Sequence, residues 1–168
     1  RAGWRRRVDE AVVTPILQRA RGVLVAGTRA RRRMLEQGAP PEHVRVFADT
    51  IDVEDYGSRA DALAGRRPEL RDALGAGAGD VVVLSVGPLT PEKRHAELVH
   101  ALAQAGDDQL LLALAGDGPE RERLADLARI RGVRLVVAGA QAWEPIELYA
   151  AADVFALLSE RETWAVVV

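Results

Sequence analysis

The sequence predicts an α/β protein built on a doubly wound parallel sheet, and two patterns indicate this fold. From residue 81 onward, short apolar runs alternate four times with stretches of helical periodicity. Each run is almost continuously apolar, as expected for strands that are covered by helices on both faces. Strands and helices that alternate in this way favour a Rossmann-like sheet with right-handed crossovers.

The first 47 residues predict a smaller helix–strand–helix–strand unit. Its expected elements are a helix over 4–20 that restarts at Thr14-Pro15, a strand over 22–28, a helix over 30–37 and a strand over 43–47. Thr28 is expected to cap the second helix, and Gly38 to end it. The next stretch, ADTIDVEDYGSRA, is interpreted as a long loop. Residues 62–80, rich in Gly, Ala and Arg, are the best candidate for a domain boundary.

The remaining residues predict four strand–helix units. The expected strands cover 81–86, 110–115, 133–139 and 153–159. One helix is expected after the first strand, ending near residue 105, and two more are expected over 119–132 and 144–152. In the common strand order of such sheets, the first and fourth of these strands are neighbours. Ligands bind beyond the carboxyl ends of the strands, where the order reverses. The loop that carries Gly87 and Lys93 should therefore face the segment that carries Glu160 and Glu162.

Lys93 is the only lysine in a chain that has 22 arginines. It follows a predicted strand and a Gly/Pro turn, in VVVLSVGPLTPEKRH, where parallel α/β proteins often hold phosphates. A lysine is a compact point charge that suits a phosphate. Taken alone, however, this residue is better interpreted as a solvated side chain in the first turn of a helix.

Composition excludes several classes of function. The net charge of −2 gives no overall basic field, so nucleic acid is not an expected partner. The chain has no cysteine, which excludes disulfides and thiolate metal sites and fits a cytoplasmic location. Its three histidines lack metal-ligand spacing, and no apolar run reaches the length of a membrane span. The P-loop, the dinucleotide G-x-G-x-x-G and the G-x-S-x-G elbow are all absent.

Five segments, in order, resemble the motifs of one enzyme family. They read HVRVFADTIDVEDY, VGPLTPEKR, AGDGPER, VVAGA and DVFALLSERETWA. The retaining GT-B glycosyltransferases of family 4 (group 1) carry V-x-V-I-P-N-G-V-D, V-G-R-L-x-x-E-K-G, A-G-D-G-P-E, a strand ending in F-x-G, and D-V-F-x-x-P-S-x-x-E-G-F-G. The chain resembles this family over roughly residues 20–168, and each motif alone would be weak.

The resemblance implies transfer of a sugar from a nucleoside-diphosphate sugar to an acceptor, with retention of configuration. Lys93 would bind the diphosphate and stabilise the leaving group, and Glu162 would contact hydroxyls of the donor sugar. No metal and no further cofactor are expected. The other donor-binding residues that it implies are Gly87, Gly116, Gly118, Ala138, Gly139, Gln141, Thr163, Trp164 and Ala165. For Gly116 and Gly118, a tight turn is as good an interpretation as a ligand contact.

The chain departs from the family motifs at several positions. Pro88 replaces the arginine that shares the diphosphate with the lysine, and proline offers no side-chain donor. Arg94 or Arg161 could substitute for it. Ala165 replaces a glycine, Leu158 replaces a proline, and Asp49-Thr50 replaces Asn-Gly. These departures bear on activity more than on fold.

The resemblance also implies a domain organisation. Residues 1–47 would be the end of an N-terminal acceptor domain, 48–79 a linker with a connecting helix, and 80–168 a truncated donor domain. Because the chain starts in a basic helical stretch and stops in the apolar run WAVVV, we expect a fragment of a longer protein that is inactive and poorly stable by itself. Two alternatives stay open: a sugar-nucleotide epimerase on the same scaffold, and an inactive module that binds a donor or a partner. The acceptor is unknown, and the Arg5–Arg7 stretch is compatible with peripheral membrane contact.

Overall fold

The computed structural model describes residues 2–47, 52–139 and 143–160, and for residues 2–10 the backbone alone. The chain divides into two compact units, Arg1–Thr50 and Ile51–Val168. The assignment of 1–47, 48–79 and 80–168 to an acceptor-domain remnant, a linker and a donor domain stays a prediction.

The first unit pairs two short parallel strands and packs helices against them. Its elements are α1 (Ala2–Arg19), β1 (Val23–Ala26), α2 (Gly27–Glu36) and β2 (Val44–Phe47). The strands pair in register from Val23 opposite Val44 to Ala26 opposite Phe47. A small core of Leu17, Val25, Ala39 and Val44 holds the unit together.

Two local predictions in the first unit are wrong. Helix α1 continues through Pro15 without a restart, because a proline removes only one backbone hydrogen bond and the neighbouring turns retain theirs. Helix α2 begins at Gly27, so Thr28 lies in its first turn and does not cap it. The N-cap position belongs to Ala26, which makes no side-chain capping hydrogen bond.

The second unit contains a four-stranded parallel sheet. Its helices are α3 (Val53–Leu63), α4 (Arg67–Ala73), α5 (His95–Ala105), α6 (Arg121–Arg131) and α7 (Pro145–Ala151), and its strands are β3 (Val81–Val86), β4 (Leu110–Ala115), β5 (Arg134–Ala138) and β6 (Val154–Phe155). The strand order is β5-β4-β3-β6, and all three pairings are parallel. The α/β fold class and the predicted neighbours β3 and β6 are confirmed.

Apolar side chains of β3 and β4 alternate between two cores, one on each face of the sheet. Val82, Leu84, Leu111 and Ala113 face α4 and α7. Val83, Leu112 and Leu114 face α5 and α6. This arrangement explains the continuous apolar runs in the sequence, since neither face of these strands meets solvent. The fourth strand is shorter than predicted, because only Val154 and Phe155 pair with β3.

Helix α3 occupies residues that the sequence analysis assigned to a loop. The Asp52 side chain accepts hydrogen bonds from the backbone N–H groups of Glu54 (3.1 Å) and Asp55 (3.0 Å) and so caps the helix. Glu54 and Asp55 also lie in the first turn, where their negative charges interact favourably with the positive end of the helix dipole. The capping signal was therefore present in DVED, but Gly57 and the lack of an apolar stripe obscured it.

An ionic network closes the amino ends of β3 and β6. Asp153 accepts hydrogen bonds from Val82 N (2.8 Å), Arg71 Nη1 (2.7 Å) and Arg67 Nη2 (2.6 Å). Burial alone would raise the pKa of Asp153, but these bonds outweigh it and lower the pKa to about 2. The first residue of the family-like DVF segment therefore has a structural role at the end of the sheet opposite the candidate site.

Candidate functional site

The loop that follows β3 is fastened to the loop that follows β4 by backbone hydrogen bonds. Gly87 N donates to Ala115 O (2.9 Å), and Leu89 N donates to Asp117 O (2.9 Å). In the opposite direction, Glu120 N donates to Leu89 O (3.0 Å). The Leu89 side chain is fully buried beneath the loop. Together these contacts fix the backbone path from Gly87 to Lys93 relative to the sheet.

Gly116 and Gly118 permit this close approach. A Cβ atom at Gly116 would lie 2.0 Å from Gly87 O, and one at Gly118 would lie 2.5 Å from Leu89 O. Real Cβ atoms do not approach backbone that closely, so any larger residue would push the two loops apart. Loop packing therefore accounts for both glycines, and their direct contact with a ligand stays a prediction.

Lys93 ends a 3₁₀ turn, Pro91–Lys93, and its side chain folds back over Gly87. A Cβ atom at Gly87 would lie 3.5 Å from Lys93 Cε and 3.9 Å from Lys93 Nζ. Gly87 has a φ angle of 149°, which favours glycine. The structure thus brings together the glycine and the lysine that the sequence analysis placed in one site.

The segment after β6 lies against the lysine loop, as the predicted strand order requires. Glu160 N donates a hydrogen bond to Glu92 O (2.9 Å), and Arg94 Nη2 lies 3.7 Å from Glu160 Oε2. Both side chains of this ion pair are largely exposed. Glu162, Thr163, Trp164 and Ala165 lie outside the described residues, as does Arg161.

Arg94 has a left-handed backbone conformation, with φ 55° and ψ 35°. It is the one non-glycine residue with positive φ in the described ranges 2–47, 52–139 and 143–160. The family motif carries glycine at this position, and a left-handed turn between the lysine and α5 explains why. The arginine here retains the turn at a conformational cost, next to the candidate site.

The carboxyl end of β5 forms a third part of the site. Ala138 pairs with Ala115 in the sheet, and Ala138 O accepts a hydrogen bond from Gly116 N (3.3 Å). Ala138 is buried, and Gly139 follows it. Of the donor-binding residues expected in this segment, Ala138 and Gly139 therefore adjoin the two loops, whereas Gln141 lies outside the described residues.

A histidine that the sequence makes only a minor candidate for the site, one turn from the expected phosphate position, lies beneath the lysine loop. The His95 side chain is fully buried at the start of α5, and neither ring nitrogen has a hydrogen-bond partner of normal geometry in the described structure. Burial lowers the pKa of His95, a weaker interaction with the Pro88 backbone opposes this, and the Lys93 charge lowers it further. The imidazole is therefore neutral near pH 7 and adds no positive charge beside Lys93. The sequence did not predict this burial, because a single histidine does not show that it lies on the apolar face of its helix.

Within the described residues, no group of three or more His, Asp or Glu side chains lies in a position to hold a metal ion. The expectation that no metal or further cofactor is needed stays a prediction. No helix in the described part of the chain is long and apolar enough to cross a membrane.

The sequence profile of the family described as "Glycosyl transferases group 1" matches residues 66–168, which is more than half of the chain. The chain belongs to the group 1 glycosyltransferases. The match covers β3 to β6 with the loops between them, so the candidate site lies within the part that carries the family relationship.

Solved glycosyltransferases share this fold. HepE of Anabaena, in complex with UDP and glucose, is 24% identical with a TM-score of 0.68, and the match covers 90% of this chain and 42% of that one. A glycosyltransferase of Rickettsia africae ESF-5 is 16% identical with a TM-score of 0.74, over 90% and 41% of the two chains. WaaG, which is involved in lipopolysaccharide biosynthesis, is 20% identical with a TM-score of 0.64, over 86% and 40%.

These likenesses establish a partial Rossmann-like fold of the GT-B type for this group 1 glycosyltransferase. The chain spans about two-fifths of the length of those structures. A comparison with curated protein sequences finds no match.

Proposed function

We propose that this chain carries most of the donor site of a retaining hexosyl-type glycosyltransferase of family 4, which uses a nucleoside-diphosphate sugar. The observation that carries the proposal is the position of the Lys93 side chain over Gly87, at the carboxyl edge of the sheet where β3 lies between β4 and β6. That edge is where Rossmann-like sheets bind nucleotides. The family relationship and the UDP bound by HepE support a nucleotide sugar as the ligand.

Lys93 would supply the electrostatic part of the chemistry. When the bond between the sugar and the diphosphate breaks, negative charge develops on the leaving phosphate, and a fixed cation lowers the energy of that state. A preorganised loop makes this effect larger, because the cation needs no rearrangement during the reaction. The backbone hydrogen bonds that fasten the loop provide such preorganisation.

The remaining contacts with the donor would come from the other two edges of the site. Glu162 would bind hydroxyl groups of the sugar, and backbone N–H groups of Thr163, Trp164 and Ala165 would lie near the sugar and phosphate. Ala138, Gly139 and Gln141 would line the nucleobase pocket, while Gly87, Gly116 and Gly118 would admit the diphosphate close to the backbone. The acceptor would bind elsewhere in the whole protein.

A second candidate is a donor-binding module without catalytic activity. It is favoured by Pro88, which supplies no side-chain donor where the family has an arginine. Arg94, the nearby arginine, is already within ion-pair distance of Glu160. A sugar-nucleotide epimerase on this scaffold is the third candidate. Turnover of the sugar nucleotide by the full-length protein separates these possibilities.

Binding of UDP, GDP and ADP to the full-length protein tests the proposed site. We expect one nucleotide to bind, and we expect Lys93→Ala to weaken it by about tenfold or more, because a charge-assisted phosphate contact is lost. Arg129→Ala, which removes an exposed positive charge on α6, serves as the matched control and should leave affinity unchanged. Equal binding by wild type and Lys93→Ala would show that the lysine does not hold the diphosphate.

Retention of configuration needs a separate measurement. NMR of the first product formed from an α-linked sugar nucleotide should show an α-linkage. A β-linked product would exclude the retaining mechanism without affecting the nucleotide site.

A further inference from the structure

Charge is distributed very unevenly along this chain. Residues 1–50 contain eleven arginines and five carboxylates, a net charge of +6, whereas residues 51–168 contain twelve basic and twenty acidic residues, a net charge of −8. The total of −2 hides this asymmetry. A strongly basic segment in an otherwise acidic chain points to an anionic partner for that segment.

The basic charge of the first unit is concentrated on one face of α2. An open groove of about 730 Å³ runs along this helix and is lined by five exposed side chains, Thr28, Arg29, Arg32, Arg33 and Glu36. Arg32 pairs with Glu36 at 3.1 Å. Among the residues that the structure describes, Arg29 and Arg33 have no carboxylate partner. Two of the three guanidinium groups in the groove are therefore left to bind an anion.

The start of α2 reinforces this charge. Ala26 cannot cap the helix with a side chain, so the capping acceptor that normally neutralises the first N–H groups is missing. The Thr28 hydroxyl lies in the first turn, beside Arg29 and at the positive end of the helix. A phosphate bound there would meet a hydroxyl donor, uncapped backbone donors and a guanidinium fork, which binds phosphate through two parallel hydrogen bonds.

The composition of the groove favours a discrete phosphate over a bilayer surface. A helix that lies in a membrane interface needs an apolar face beside its basic residues. All five side chains that line this groove are polar, and Met34 and Leu35 of the same helix pack against the core of the unit.

We propose that this groove on α2 is a binding site for the phosphate group of a small phosphorylated ligand. Phosphate binding by the groove does not depend on the proposed function. Arg29 and Arg33 bind the phosphate, Thr28 orients it, and Arg32 is held in place by Glu36.

Inorganic pyrophosphate is the probe for the groove, measured by calorimetry on the full-length protein. The Lys93→Ala background removes the proposed donor-phosphate contact, so that binding to α2 dominates. In that background, Arg29→Gln with Arg33→Gln should weaken pyrophosphate binding by about tenfold, since two charge-assisted contacts are lost. The control pair, Arg31→Gln with Arg131→Gln, changes the net charge equally, with one substitution on α2 outside the groove lining. It should change affinity by less than about twofold.

Three outcomes would overturn the proposal. The first is that pyrophosphate does not bind, and the second is that both variant pairs weaken it equally, which would indicate only a general effect of net charge. The third outcome comes from measuring binding of the same variants to vesicles of phosphatidylcholine with about one-third phosphatidylglycerol. If Arg29 and Arg33 control binding to these vesicles but not to pyrophosphate, the groove is a lipid-binding surface. Failure of Lys93→Ala to affect nucleotide binding would refute the donor site and leave the groove result standing.

Discussion

The packing of Gly116 against Gly87 makes a strong prediction about the loop that carries Lys93. In Gly116→Ala, the new methyl group would begin 2.0 Å from Gly87 O and 2.9 Å from Gly87 C. Carbon and carbonyl oxygen normally approach to about 3.3 Å. The two loops must therefore separate by about 1.3 Å, and both sides of the contact are backbone, so no side-chain rotation relieves it.

The cost follows from the interactions that surround this contact. Overpacking of an ordered region costs about 1–3 kcal/mol. The bonds Gly87 N to Ala115 O and Leu89 N to Asp117 O, both 2.9 Å long, flank the contact. Loss of one adds about 1 kcal/mol. We therefore expect Gly116→Ala to lower the free energy of unfolding by about 2–4 kcal/mol and, because Lys93 moves with the loop, to weaken nucleotide binding by about tenfold or more.

Urea denaturation followed by circular dichroism, together with nucleotide titration, measures both effects in the full-length protein. Gly57→Ala is the matched control, because Gly57 lies in α3 and a Cβ atom there would meet nothing within 4 Å. That control should gain about 0.5–1 kcal/mol from helix propensity and leave nucleotide binding unchanged. If Gly116→Ala unfolds within about 0.5 kcal/mol of the wild type, the loops are not as closely packed as described, and the account of this glycine is wrong.

Two further predictions concern the loop end and the opposite end of the sheet. Arg94→Gly should raise the free energy of unfolding by about 1 kcal/mol in urea denaturation, because it relieves a left-handed residue and loses only an exposed ion pair; a decrease would show that the Glu160 contact matters more. Asp153→Asn should lower the free energy of unfolding by about 1–2 kcal/mol at neutral pH, after allowance for solvent screening. Because folding lowers the pKa of Asp153 to about 2, that difference should be complete above about pH 4 and disappear as the pH falls through 2. The exposed Asp126→Asn serves as its control, and a pH-independent difference for Asp153→Asn would contradict the linkage.

Apolar pattern and family motifs predicted the second unit well, for physical reasons. Strands covered on both faces need uninterrupted apolar residues, so β3 and β4 were predicted with their observed limits. Their order in the sheet followed from the rules for parallel crossovers. The placement of Lys93 beside Gly87 followed in turn, because a strand that ends at the sheet edge fixes the residues just beyond it.

Features that depend on nonlocal contacts could not be predicted from the sequence. Residues 62–80 were interpreted as a boundary from composition, yet Leu70 and Leu74 are buried in the core beneath the sheet. Local composition does not reveal that α4 packs against α7. Likewise, the sequence G-D-G is compatible with a turn or with a ligand contact. Only the short distance between Gly87 O and a Cβ atom placed on Gly116 shows the packing that requires glycine.

The hydrogen bonds that shape the loop after β3 also bear on how such a site can evolve. Gly87, Leu89, Thr90 and Lys93 are held through main-chain atoms, including Thr90 N to Pro88 O at 2.9 Å. A loop defined by its main chain tolerates changes of side chain at positions that contribute no bond through that side chain. This is how Pro88 can occupy the position of a family arginine while the backbone keeps its course. Natural variation can therefore change the charge presented to a ligand at position 88 without rebuilding the scaffold.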